Sequence, residues 1–186
     1  MILATNNMGK LKEIREILKE YEISSLKDKD IDIDVIEDQD TFVGNAKKKA
    51  LEIYDITHEE ILADDSGLCI ETLNGFPGVM THRFLGENAT DEERNQYLID
   101  EVNKHENRNA SVICSLVYYD GVDFTIGTGE IKGIIAKEMR GTNGFGFDSI
   151  FELPNGLTLA ETSSEEKNAI SARAMAARDL QKKLTR

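Results

Sequence analysis

Asp64 and Asp65 stand side by side at the end of an apolar run, Ile61-Leu62-Ala63, and Ser66 and Gly67 follow them. Adjacent carboxylates repel, so each resists the other's ionisation. A hard divalent cation relieves that cost, and magnesium prefers one or two carboxylates together with substrate phosphates. A second segment, Thr5-Asn6-Asn7-Met8-Gly9-Lys10, joins a short apolar strand to an amphipathic helix. Such a turn offers backbone N–H groups to an anion, and Lys10 adds a cation where a phosphate would sit. It is not a Walker A loop: the glycine spacing is wrong, and Leu11 follows the lysine where Ser or Thr would be needed for magnesium. Each segment alone is also compatible with an ordinary solvated turn.

Two further segments carry polar groups suited to a ring ligand. In Arg140-Gly141-Thr142-Asn143-Gly144-Phe145-Gly146-Phe147-Asp148, three glycines alternate with two aromatics and an aspartate ends the run. Phe145 or Phe147 could stack on a base, and Asp148 could accept hydrogen bonds from ring N–H groups. The alternative is a turn whose aromatics plug the core. Near the C-terminus, Lys167 and Arg173 flank Asn168 and Ser171-Ala172, either as ligand contacts or as solvated helix charges. Ser163 and Glu166 fit a capping box. His58, His82 and His105 show no spacing of a metal site, and no serine shows a nucleophile motif.

Composition narrows the classes. The 186 residues are 40% hydrophobic, enough for one domain with a sizeable core or for two joined lobes. The formal net charge of −13 argues against general affinity for nucleic acid or anionic membrane. A small anionic substrate stays open if the few cations gather in one place. No segment approaches the ~20 apolar residues that span a bilayer. MILATNNMGK is not a basic leader followed by an apolar stretch, so a cytoplasmic protein is expected. Cys69 and Cys114 read as free thiols, without metal spacing.

These groups need elements to position them. A strand is predicted at Ile2–Ala4, then a helix over Lys10–Tyr21 with Leu11, Ile14, Leu18 and Tyr21 at helical spacing. A strand is expected at Ile31–Ile36 and a helix at Phe42–Ile53. Ile61–Ala63 and Leu68–Thr72 read as two strands bent around residues 64–67. Thr90 and Glu93 fit a capping box that starts a helix. Asp120-Gly121 signals a hairpin between Ser111–Tyr119 and Val122–Gly127, followed by a strand at Glu130–Ala136. The last helix is predicted over Asn168–Leu184, with Ile170, Ala174, Ala177, Leu180 and Leu184 inward. The order implies an α/β fold with a mixed sheet. Regular βαβ alternation fails in the middle, so a Rossmann fold is not expected.

Taken together, LATNNMGKLKEI, TFVGNAKKKA, LADDSGLCIETLNGFPGV, NATDEERN, GTNGFGFDSIF and AETSSEEKNAIS resemble, in order, the inosine triphosphate pyrophosphatase family, also called Ham1-like or RdgB-like. The resemblance covers nearly the whole chain. It implies a single domain over residues 1–186: an elongated two-lobed α/β fold with a central mixed sheet flanked by helices, the nucleotide in a cleft between lobes, and usually a homodimer. It implies magnesium-dependent hydrolysis of non-standard purine nucleoside triphosphates (ITP, dITP, XTP) to the monophosphate and pyrophosphate. Asp65 then matches the catalytic carboxylate, and Lys49 a lysine facing the phosphates. Glu37 and Asp65 match the magnesium carboxylates, and Ser66 a substrate contact. Thr5, Asn6, Asn7, Met8, Gly9 and Lys10 match the triphosphate turn. Phe145, Gly146, Phe147 and Asp148 match the base-recognition loop, Lys167 and Arg173 match the C-terminal base-binding cations, and Ala172 stands at the position of a base-pocket histidine. Two positions depart from the family pattern: Gly44 replaces the usual glutamate and Ala172 the usual histidine. The competing readings are a nucleotide-binding protein with reduced catalysis and a broad-specificity nucleoside triphosphate pyrophosphatase.

Overall fold

The first strand is short because only Ile2 and Leu3, both fully buried, precede the polar turn. In the computed structural model, which describes residues 1–86 and 88–185, they form β1 (Ile2–Leu3). Helix α1 (Met8–Ile17) starts two residues earlier than the apolar spacing places it. Asn7 is its N-cap, its Oδ1 accepting from the amides of Gly9 and Lys10 at 2.9 and 3.1 Å. Strand β2 (Ser24–Ser25) follows, and helix α2 (Phe42–Thr57) begins after Thr41, whose Oγ1 accepts from the Gly44 amide at 3.0 Å. The remaining elements are β3 (Ile61–Ile70), α3 (Asp91–Val102), β4 (Asn109–Tyr119), β5 (Phe124–Ile135), β6 (Phe151–Glu152), α4 (Ser164–Ile170) and α5 (Ala172–Leu184). The six strands lie in the order β2-β1-β3-β4-β5-β6. β1 runs parallel to β2 and β3, while β5 and β6 are antiparallel, so the sheet is mixed as expected.

Four local expectations are corrected. Residues 64–67 are no turn: β3 runs unbroken through them, and both aspartates meet side-chain partners within the fold. The strands expected at 122–127 and 130–136 are one strand, β5. Its glycines mark close approach rather than a break: a Cβ on Gly127 would strike the Ala176 carbonyl, and one on Gly129 the Ala172 carbonyl. Residues 31–36 form no strand. Ile31, Ile33 and Val35 pack on the core while their neighbours face solvent, so the alternation records one-sided burial without a ladder. The final helix is broken at Ser171, which caps α5 by accepting from the Ala174 amide at 3.1 Å, and Ile170 is exposed rather than inward.

The chain divides into two compact units, Met1–Ser66 with Cys114–Gly129 and Ser171–Arg186, and Gly67–Ile113 with Glu130–Ile170. The first unit buries Ile2, Ala4, Ala46, Ala50, Ile53, Ile61, Ala63 and Val117 in one cluster, and α1 packs against α5. The second buries Leu68, Ile70, Leu98, Ile99, Val102, Ile150 and Phe151. Its α3 carries the expected capping box: Thr90 Oγ1 accepts from the Glu93 amide at 3.1 Å, and Glu93 Oε2 accepts from the Thr90 amide at 2.7 Å. Both cysteines are free, and burial pushes the Cys114 thiol up to about 12. Among the described residues no helix is long and apolar enough to cross a membrane.

Candidate active site

Because β3 continues through Asp64 and Asp65, the strand pleat turns their side chains to opposite faces. Each meets a different set of partners, all within the first unit.

Asp64 is fully buried. Its Oδ2 lies 3.2 Å from Lys10 Nζ and accepts from Arg173 Nε and Nη2 at 3.3 Å each. Arg173 also pairs with Glu13 and donates to Ser66 Oγ at 3.1 Å. Lys10 and Glu13 sit three residues apart on α1, hence on one face. Asp64 Oδ1 is buried and has no hydrogen-bond partner among the described residues. Burial alone would raise the Asp64 pKa, but Lys10, Arg173 and Lys49 outweigh it and hold the carboxyl well below the ordinary range. Arg173 is held charged, because the fields of Asp64 and Glu13 overcome its desolvation.

Asp65 is 2% exposed and, among the described residues, forms no salt bridge. Asn45 Nδ2 donates to its Oδ2 at 2.9 Å, and the Ser66 amide donates to its Oδ1 at 2.8 Å. Burial pushes its carboxyl up to about 6, with Lys49 opposing, the Glu37 charge reinforcing, and the Asn45 hydrogen bond opposing. Lys49 lies on α2 one turn beyond Asn45. Its Nζ meets Glu37 Oε1 at 2.6 Å and donates to the Asp64 carbonyl. Burial disfavours its charge, but Asp64, Glu37 and Asp65 together keep its pKa above the ordinary lysine value.

A cavity of about 90 Å³ in this unit is lined by Thr5, Asn6, Lys10, Asp34, Glu37 and Lys49, with Ala4, Leu26, Ile33, Val35 and Ile53 supplying apolar wall. The turn that precedes α1 is already internally bonded. Asn7 caps the Gly9 and Lys10 amides, Thr5 Oγ1 accepts from the Asn7 amide at 3.2 Å, and Asn6 Nδ2 donates to the Ile33 carbonyl at 3.2 Å. Met8 is exposed.

In the second unit, Phe145 and Phe147 are half-buried and Asp148 is buried. Asp148 Oδ2 accepts from the Phe145 amide at 2.9 Å and from Lys167 Nζ at 2.5 Å. That ammonium also lies 4.6 Å from the centre of the Phe145 ring. Lys167 is placed by α4, whose start Ser163 and Glu166 cap reciprocally as the sequence predicts. Gly144, at φ +77°, leaves room for the aspartate, since a Cβ there would run into its carboxylate.

The structure thus gathers Thr5, Asn6, Lys10, Glu37 and Lys49 at one cavity, and Phe145, Asp148 and Lys167 in one contact set. Arg173 is buried in the first unit on Asp64 and Glu13. Ala172, 2% exposed, opens α5 with its methyl packed inside. Sequence reading missed Glu13, Asn45 and the central position of Asp64. Glu13 was legible as the residue one turn from Lys10, and Asn45 as the residue one turn from Lys49. Among the described residues no group of three or more His, Cys, Asp or Glu is arranged to hold a metal. Two carboxylates are available: Glu37, and Asp65, whose ionisation burial and the Glu37 charge oppose. That donor set fits magnesium, which completes its shell with phosphate oxygens and water.

A mixed-sheet α/β protein with a paired-carboxylate, two-lysine centre is the class that this fold and site define. The chain belongs to the Ham1 family, whose profile matches residues 1–183. It is 42% identical over 195 residues to a dITP/XTP pyrophosphatase of Clostridium perfringens, covering 98% of this chain and 96% of the relative. It is also 42% identical over 179 residues to a dITP/XTP pyrophosphatase of Treponema pallidum, covering 94% of this chain but only 66% of that longer protein. Among solved structures, a HAM1 protein from Coxiella burnetii superposes with a TM-score of 0.90 at 40% identity, covering 99% of this chain and 97% of the other.

Proposed function

We propose that the protein hydrolyses non-standard purine nucleoside triphosphates, dITP and XTP in the first place, to the monophosphate and pyrophosphate. The observation that carries this reading is the cavity in which Lys10, Lys49 and Glu37 meet beside Thr5 and Asn6. The names of the relatives supply the substrate class.

The reaction adds water at the α-phosphorus and expels pyrophosphate. Positioning and charge neutralisation dominate such transfers. In this reading Lys10 and Lys49 neutralise phosphate oxygens, and Asp65 orients the attacking water and accepts its proton. A carboxyl at about 6 suits that role, because it is ionised at neutral pH yet more basic than an ordinary aspartate. Glu37 and Asp65 would hold magnesium, which when bound would supply further neutralisation of the triphosphate. Phe145 and the Asp148–Lys167 pair read the base. The 6-oxo group of hypoxanthine or xanthine takes a donor where adenine presents an amino group, and Lys167 of α4 is the cation held on Asp148. The family resemblance also supports a homodimer, which sedimentation at varied concentration tests, and a cytoplasmic location.

The deciding experiment is turnover of dITP, XTP, dGTP and ATP with magnesium, following pyrophosphate. Release of pyrophosphate with the 6-oxo non-standard bases preferred is expected. Stepwise release of phosphate, leaving a diphosphate, overturns the assignment. Equal rates across bases would indicate the broad-specificity enzyme, and binding without turnover the catalytically reduced one.

A further inference from the structure

Gly146 stands at φ +62°, in the left-handed region, with no side chain to pack it. A segment in that state takes its shape from outside contacts. Here both polar groups of Gly146 are held by one helix of the same unit. The Gly146 amide donates to Asp91 Oδ2 at 2.9 Å, and its carbonyl accepts from Asn95 Nδ2 at 2.8 Å. Asn95 also donates to Ser149 Oγ at 3.2 Å, so it holds the segment at two points three residues apart. Asp91 and Asn95 lie one turn apart on α3 and share a face. Asn95 is 4% exposed.

The helix that carries this clamp is itself well fixed. Thr90 and Glu93 cap it, and Leu98, Ile99 and Val102 anchor it in the core. The Arg94 guanidinium donates to the carbonyls of Phe84, Gly86 and Ala89 at 2.6–2.9 Å. Next to Gly146, the Phe145 amide and Lys167 both meet Asp148. Phe145 is covalently adjacent to Gly146 and Asp148 is two residues on, so the Gly146 peptide groups help to set where both side chains lie.

We propose that Asn95, assisted by Asp91, is a positioning residue for base discrimination: it fixes the peptide groups of Gly146 and thereby the geometry of Phe145, Asp148 and Lys167. This rests on the reading that this loop meets the base. A buried polar side chain on a helix needs a partner in any case. The proposal is that this partner sets specificity as well as stability, and it predicts a split that stability alone does not give.

The test uses Asn95→Ala and the milder Asp91→Ala, whose side chain is largely exposed. KM and kcat are measured for dITP and dGTP, alongside inhibition by inorganic tripolyphosphate, which has phosphates and no base. Loss of one neutral hydrogen bond is worth roughly threefold to tenfold. Asn95→Ala should raise KM for dITP by about that factor and reduce the preference for dITP over dGTP. kcat should stay within about twofold, and the tripolyphosphate inhibition constant should not change. Asp91→Ala should shift KM and preference in the same direction by less. Gln96→Ala, exposed on the same helix, should leave every value at parent level. Parent-like KM and preference in both clamp variants overturns the proposal, as does equal weakening of dITP and tripolyphosphate. A parent protein with no base preference at all overturns the loop's assignment itself, which separates that failure from failure of the clamp.

Discussion

Both compact units bury a lysine–aspartate pair, and they hold it by different means. In the first unit, Asp64 lies on the continuous strand β3 among Lys10 from α1, Arg173 from α5 and the nearby Lys49 of α2. In the second, Asp148 lies on a glycine-rich loop and meets the Lys167 ammonium and the Phe145 N–H. Three cations against one carboxylate make the first arrangement over-determined: removing any one leaves the others in place. The second is carried by loop backbone, whose shape α3 maintains from outside. Strand and helix therefore carry Asp64, Asp65, Lys10 and Lys49, whereas Phe145 and Asp148, proposed to choose the base, are mounted on a glycine-rich loop.

That contrast breaks most sharply at Asp64. Asp64→Ala strips the shared partner from Lys10 and Arg173, leaving the buried Lys10 ammonium uncompensated while Arg173 keeps Glu13. Breaking such a pair costs about 3–5 kcal/mol, so the denaturant midpoint should fall steeply. A midpoint close to that of the parent would mean that the cations find water or Glu13 instead. Next in size is Asp65→Asn, which keeps shape but removes the proton acceptor. The expected loss is roughly 10²-fold or more in kcat, with folding intact, and a near-normal kcat would move the role to another carboxylate.

The two aspartates also differ in how they respond to pH. Asp65 must be ionised to take a proton, so kcat/KM should rise with pH along an acid limb and then level off, and Asp65→Asn should lose that limb. The stability sign is the reverse of the usual aspartate. With its pKa raised on folding, Asp65 binds more protons in the native than in the unfolded state between about 4 and 6, so ionising it costs stability as pH rises through that window. The stability of Asp65→Asn relative to the parent should therefore improve from pH 4 to pH 8. Asp64, with its pKa lowered, stabilises at every pH above the ordinary aspartate range and loses that contribution only in strong acid.

In the second unit the effects should be smaller. Lys167→Met removes a charge-assisted hydrogen bond worth about 1.5–3 kcal/mol. KM for dITP should rise roughly tenfold or more, while inhibition by tripolyphosphate is unaffected. Parallel losses for both ligands would place Lys167 with the phosphates. Smallest is Thr90→Ala, which removes half of the α3 capping box at a cost of about 1 kcal/mol. If α3 transmits order to the loop, this variant should lose base preference slightly before it loses kcat, and an unchanged preference would confine the clamp to Asp91 and Asn95.

What the sequence determined by itself was whatever depends on residues within a turn or two of one another. The capping boxes at Thr90 and Ser163, the hairpin at Asp120-Gly121 and the common helix face of Asn45 and Lys49 follow from local spacing, because the hydrogen bonds involved close within three or four residues. Pattern reading failed where a residue's neighbours come from far along the chain. Polar Asp64-Asp65-Ser66 looks like a turn until Arg173, 109 residues away, is found to meet its first carboxylate. Gly127 and Gly129 look like strand breaks until α5 is packed against them. The tertiary structure alone decided that adjacent aspartates titrate in opposite directions. Protonation depends on burial and on the charges gathered at each face of the strand, and residue identity alone specifies neither.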